Sequence, residues 1–203
     1  MTQVTLGSST LWRNLRVGLL GGSFNPAHEG HRHISVLAMQ HLQLDAVWWL
    51  VSPQNPLKSA SGMASQHERV KSALRVANHP HIHVTDIENA LHTRYTVDTV
   101  ARLQGHFPDT RFVWLMGSDN LRQFHRWKNW QQLFDLLPVC VIARPPSGDI
   151  LRASTASAYA RPFTLPRHMA STLPQQRPPA MVILPTPLSD LSSTALRASG
   201  QWR

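Results

Sequence analysis

Leu15-Arg16-Val17-Gly18-Leu19-Leu20-Gly21-Gly22-Ser23-Phe24-Asn25-Pro26-Ala27-His28-Glu29-Gly30-His31 is the stretch that decides the fold. Residues 15–20 form a short apolar run, and beyond the turn Ile34, Leu37, Ala38 and Leu42 keep the spacing of one helical face. A buried strand leading through a glycine turn into a helix is the opening unit of an α/β domain. Paired glycines let another group approach the backbone closely, and a helix mouth offers unpaired N–H groups and partial positive charge. The turn therefore reads as a cradle for an anion, phosphate above all. It is neither a P-loop, since no Gly-Lys-Ser/Thr follows, nor a dinucleotide turn, since the G-x-G-x-x-G spacing is absent.

His28 and His31 are three residues apart, which puts them on one face of the first helical turn, where imidazoles can donate hydrogen bonds to phosphoryl oxygens. Two rivals exist: a capping histidine packed in the turn, and a metal pair completed by His33 or Glu29. The metal reading lacks a third ligand at helical spacing on that face.

Outward from this unit, apolar runs recur at residues 46–51, 82–87, 111–116, 139–143 and 180–184. Helix-like stretches separate them, marked by Val70, Ala73, Leu74 and Ala77 and by Val97, Val100 and Ala101. The alternation predicts an α/β fold, a Rossmann-like doubly wound parallel sheet. One domain over residues 15–203 follows an N-terminal extension at 1–14. In such a sheet ligands collect outside the carboxyl ends of the strands. Residues 145–187 hold most of the 15 prolines. An irregular insertion or lid near residues 147–180 is expected there.

Bulk properties narrow the function. The 203 residues carry 20 Lys and Arg against 11 Asp and Glu, a net charge of +9. Anions are attracted, but the basic residues are scattered, which favours small phosphates over a nucleic-acid partner or a membrane surface. No apolar run reaches the ~18 residues of a membrane span and no secretory signal is evident, so a cytoplasmic location is expected. Cys140 lies in an apolar run and reads as a small buried hydrophobe.

Three further segments sit where ligands gather. Gly117-Ser118-Asp119-Asn120 follows the fourth run; a carboxylate there suits a ribose hydroxyl, or Asp119 simply caps a helix. Leu191-Ser192-Ser193-Thr194-Ala195-Leu196-Arg197 places three hydroxyls and an arginine at a helix start, which suits phosphate or plain capping. Phe124, Trp127 and Trp130, spaced by three, could share a helical face, ordinarily a core stripe.

The glycine-to-histidine segment resembles the Gly-x-[Ser/Thr]-Phe-[Asp/Asn]-Pro-x-His-x-Gly-His signature of the nucleotidylyltransferase superfamily. It is most similar to the bacterial nicotinate mononucleotide adenylyltransferase family, with Ser23 and Asn25 where Thr and Asp are frequent. The resemblance implies transfer of AMP from ATP to nicotinate mononucleotide in NAD biosynthesis, giving nicotinate adenine dinucleotide and pyrophosphate. ATP would be held by Gly21, Gly22, Ser23, Phe24, His28, His31, Gly117, Asp119, Ser192, Ser193, Thr194 and Arg197. His28, His31 and Arg197 would stabilise the departing pyrophosphate, and Mg²⁺ would arrive with ATP. The segment Arg94-Tyr95-Thr96-Val97-Asp98-Thr99 matches the family's Ser-Tyr-Thr-x-Asp-Thr, and Trp127 matches a tryptophan that stacks on the nicotinate ring. The acceptor would therefore meet Asn25, Lys58, Tyr95, Thr96, Trp127 and Arg144, with Arg126 and Lys128 favouring its carboxylate. The neighbouring readings are a nicotinamide mononucleotide or phosphopantetheine acceptor; outside the class stand a nucleic-acid binder and a histidine-rich metal protein.

Overall fold

The computed structural model describes residues 4–53, 63–143 and 154–185. Six strands, β1 (Arg16–Gly22), β2 (Ala46–Val51), β3 (Ile82–Thr85), β4 (Arg111–Gly117), β5 (Val139–Ala143) and β6 (Met181–Pro185), form one sheet in the order β3-β2-β1-β4-β5-β6. All its pairings are parallel. The expected doubly wound α/β architecture is the one found. Each strand lies within two residues of its apolar run, and β3 stops at Thr85 because Ile87 opens a helical turn. Strands buried on both faces need no polar alternation, and β2, Ala-Val-Trp-Trp-Leu-Val, is buried at every position.

Helices cover both faces: α1 (Glu29–Leu42), α2 (Gln66–Ala77), α3 (Ile87–Ala90), α4 (Thr96–His106), α5 (Ser118–Gln123), α6 (Trp130–Leu136) and α7 (Thr155–Ala160). One face packs Trp48, Trp114, Phe124 and Phe134 with residues of α4 to α7. The other packs Trp49, Phe24, Leu42 and Ala73 under α1 and α2. Val4 and Trp12, flanking and ending a 3-10 turn over Leu6–Trp12, belong to the first of these clusters. Cys140 is fully buried in β5, and burial pushes its thiol pKa up, as an inert packing residue requires.

The proline-rich segment departs from expectation. Its described part, from residue 154, is helical through α7 and through 3-10 turns at Arg161–Phe163 and Arg167–Gln175, not irregular. Ala156 and Ala160 bury on one face of the sheet and Ala170 and Leu173 on the other, so the segment wraps the β6 edge. At the crossing the Leu165 N–H donates to the Met181 carbonyl at 2.7 Å.

Candidate active site

The sheet order reverses between β1 and β4, because the chain runs outward through β2 and β3 and returns beside β1. At such a switch point the connections leave in opposite directions and open a crevice at the strands' carboxyl ends. Gly21 and Gly22 end β1 and Gly117 ends β4 at that edge.

The two glycines belong to the strand, paired with Leu50 and Val51, and they meet different demands. A Cβ at Gly21 would stand 2.5 Å from the Trp114 indole, while one at Gly22 would meet nothing nearer than the Phe24 ring at 3.4 Å. The left-handed turn that follows is made by Phe24, at φ 46°. A side chain there costs about 1–3 kcal/mol, tolerated where packing over-determines the residue. Phe24 is 2% exposed and its ring stacks on Trp49 at 5.1 Å, so its ring belongs to the core.

His28 is the N-cap of α1, with extended φ/ψ, and His31 is its third residue. The two are thus not both on the first helical turn, as their spacing suggested, because the chain enters the helix only at Glu29. Their rings nonetheless meet, with centroids 3.9 Å apart. The Nδ1 of His31 accepts from the His28 backbone N–H at 3.2 Å. A nitrogen that accepts is unprotonated, so the neutral ring carries its proton on Nε2 as a donor. Three contacts fix this ring's backbone and plane: Phe24 at 4.8 Å, and the Trp49 indole N–H donating to Ser35 Oγ, whose hydroxyl donates to the His31 carbonyl, both at 2.8 Å.

Across the crevice, Gly117 rather than Asp119 is the N-cap of α5. Asp119 is exposed and lines a cleft of about 500 Å³ with Arg122, Gln123, His125 and Arg126. Phe124, Trp127 and Trp130 do not share a helical face: α5 gives way to a 3-10 turn over Phe124–Arg126, Trp127 is extended, and α6 starts afresh at Trp130. Trp127 is half-buried, 5.0 Å from Phe124 and 6.2 Å from Trp114, the indole that underlies Gly21. Tyr95 is the N-cap of α4 and Thr96 its first residue. Lys128 donates to Asp98 at 3.0 Å and sits 4.7 Å above the Tyr95 ring. The Tyr95-Thr96 and Trp127 segments are thereby brought together, while the charge of Lys128 is already engaged by Asp98.

Asn25, 6% exposed, accepts the Ala64 N–H at 3.2 Å through its carboxamide oxygen. Of the remaining expected site residues, Lys58, Arg144, Ser192, Ser193, Thr194 and Arg197 lie outside the described residues. Among the described residues no three or more His, Cys, Asp or Glu side chains converge on a metal position.

Two polar residues emerge that sequence reasoning passed over. Arg69 is 1% exposed and hydrogen-bonds the Ser23 carbonyl of the glycine loop. Glu88 is 7% exposed in α3, its Oε1 bonded to Thr99 Oγ1 at 3.0 Å, in the first turn of α4. Arg69 falls at four-residue spacing with Ala73 and Ala77, so an arginine on the apolar face of α2 was the available signal.

Such a crevice, walled by a glycine-ended strand, a histidine-capped helix and a carboxylate just past the next strand, suits a nucleotidyltransferase, and the chain belongs to the cytidylyltransferase-like family, whose model matches residues 19–199. A probable nicotinate-nucleotide adenylyltransferase of Cereibacter sphaeroides is 52% identical over 92% of this chain and 99% of its own length. One of Parvibaculum lavamentivorans is 50% identical over 93% and 94%. These relatives place the chain among the nicotinate-nucleotide adenylyltransferases. The nicotinic acid mononucleotide adenylyltransferase of Plasmodium falciparum, solved in complex with APC, shares the fold with a TM-score of 0.65 at 16% identity, over 91% of this chain and 83% of that one.

Proposed function

We propose that this protein transfers the adenylyl group of ATP to the 5′-phosphate of nicotinate mononucleotide, releasing pyrophosphate and forming nicotinate adenine dinucleotide. The observation that carries the reading is the histidine pair, 3.9 Å apart, at the mouth of α1 beside the glycine end of β1 and across from Gly117 and Asp119.

The acceptor phosphate is ionised at neutral pH and attacks the α-phosphorus in line, so no protein nucleophile is needed. The chain's work is alignment and neutralisation of the pyrophosphate as its bond to the α-phosphorus breaks. In this reading the Nε2–H of His31 and the ring of His28 donate to the phosphates, Gly22 leaves room for them against the backbone, and Arg197 with Ser192, Ser193 and Thr194 completes their neutralisation. Mg²⁺, arriving with ATP, would offset charge on the triphosphate. Asp119 takes the ribose. Trp127 stacks on the acceptor ring, with Tyr95, Thr96 and Asn25 around it and Lys58 and Arg144 toward its phosphate. Among the described residues no helix is long and apolar enough to cross a membrane. We place the reaction in the cytoplasm, where the proposed role in NAD biosynthesis would be carried out.

The test supplies MgATP with nicotinate mononucleotide, nicotinamide mononucleotide or phosphopantetheine in turn and follows pyrophosphate release. Release should be fastest, by at least tenfold, with the nicotinate acceptor. Absence of release with all three would end the proposal, and preference for another acceptor would reassign the substrate.

A further inference from the structure

Arg69 has no role in the mechanism above, yet it is the least solvent-exposed charged residue among the described residues. It is 1% exposed, and none of the ion pairs formed among those residues includes it. Four backbone carbonyls surround its guanidinium. Nη1 donates to Ser23 at 2.6 Å and Ser52 at 2.8 Å, Nη2 to Pro53 at 2.8 Å, and Nε to Ala64 at 3.1 Å. Burial lowers its pKa from the usual arginine value, but a guanidinium keeps its proton at any physiological pH. The four carbonyls come from three places: the glycine loop, the end of β2, and the residue just before the Ser65 cap of α2. A planar fork with five N–H groups can bridge them, whereas an ammonium cannot span that width.

We propose that Arg69 is a positioning residue of the phosphate site: by holding the Ser23 carbonyl in register with Ser52, Pro53 and Ala64, it fixes the peptide that opens the glycine loop for the nucleotide's phosphates. In a planar trans peptide the carbonyl and the following N–H point in opposite directions. With the Ser23 oxygen drawn to Arg69, the Phe24 N–H is turned away from α2 and held there through the left-handed Phe24. The same clamp secures Ala64, whose N–H meets Asn25 in the loop, so loop and clamp form one frame. The pull of a buried positive charge on an approaching phosphate chain adds to the effect. This inference rests on the adenylyltransferase reading only for the identity of the ligand.

The experiment compares wild type with Arg69→Lys and Arg69→Met. Steady-state kinetics with MgATP and nicotinate mononucleotide are measured beside calorimetric titration of inorganic tripolyphosphate, on protein shown to be folded by circular dichroism. A positioning role predicts that Arg69→Lys, which keeps the charge but loses the fork, loses at least tenfold in kcat/KM for ATP and in tripolyphosphate affinity. The KM for the acceptor should stay within about twofold. Free guanidinium at low millimolar concentration should restore part of the loss in a third variant, Arg69→Ala. A folded Arg69→Lys protein with wild-type kcat/KM and tripolyphosphate affinity overturns the proposal, as does an equal loss for both substrates with reduced melting temperature and no rescue. If Arg69→Met does not fold, the lysine variant decides alone. A wild type that binds tripolyphosphate but releases no pyrophosphate would defeat the adenylyltransferase reading, while the variant's affinity would still judge Arg69.

Discussion

Glu88 shows how one residue's burial becomes a pH dependence. Its carboxyl is pushed up to about 7 from an ordinary 4.5 by burial, with the Thr99 hydrogen bond pulling the other way, and its Oε2 has no partner among the described residues. Between those two values the folded protein holds a proton that the unfolded chain has lost, so stability falls as pH rises through the window and levels off above about 7. The loss amounts to roughly 3 kcal/mol. Glu88→Gln should abolish most of the difference in unfolding free energy between pH 5 and pH 8 attributable to this site, read as wild type minus variant in urea titrations; parallel pH profiles would contradict it. At His31 the expected readout is kinetic. In the proposed mechanism His31→Ala removes a donor that strengthens toward the leaving pyrophosphate, so kcat should fall about 10²-fold or more while ATP affinity changes little, because a contact made mainly in the transition state acts on turnover. Single-turnover rates and ATP titration on the same variant separate the two.

Within β1, the two adjacent glycines separate stability from binding. A methyl group at position 21 collides with the Trp114 indole at 2.5 Å, so Gly21→Ala should cost about 1–3 kcal/mol in stability and disturb Trp127 behind it. Gly22→Ala meets only Phe24 at ordinary contact distance, so its unfolding midpoint should stay near wild type while its KM for ATP rises. Reversal of that pattern would mean the phosphates approach the wall at Gly21 instead. The strands themselves were legible because buried parallel strands are short apolar runs between turns, and Ala-Val-Trp-Trp-Leu-Val is too short for a buried helix and rich in β-branched and aromatic residues. The segment after β5 was not. Two of its prolines mark 3-10 starts, Pro162 early in one turn and Pro166 as the cap of the next, while Pro174 lies inside that second turn, and its buried Ala156, Ala160 and Ala170 are too small to make an apolar stripe stand out. Arg69 stayed hidden for a related reason: beside Glu68 and Lys71 it resembles a solvated helix charge, and only the carbonyls of distant segments reveal that it faces inward. The placement of the histidine and glycine motif at a strand-to-helix turn was legible because it is set by local chain geometry, and the contact between Trp127 and Tyr95 segments was not, because it depends on packing of α4 against the chain entering α6.

At the scale of the whole molecule, the crevice has one wall from β1, its loop and α1 and the other from β4 and α5, and the sheet pairs β1 directly with β4. A nucleotide lying across that seam touches both halves of the doubly wound sheet and binds the folded state alone, since neither wall exists in the unfolded chain. Its binding free energy therefore adds to global stability: a hundredfold excess over the dissociation constant contributes about 2.7 kcal/mol. For a chain of 203 residues, this corresponds to a rise in melting temperature of roughly 5–11 °C. The +9 net charge makes the attraction for a triphosphate partly long-ranged, so the rise should shrink as salt increases from low to physiological strength, while a neutral nucleoside such as adenosine should show no such salt dependence. Differential scanning calorimetry with MgATP and with adenosine at two ionic strengths checks both parts at once. A shift from MgATP indifferent to salt would assign the binding to the base and sugar, and would move the phosphate chain out of the seam between β1 and β4.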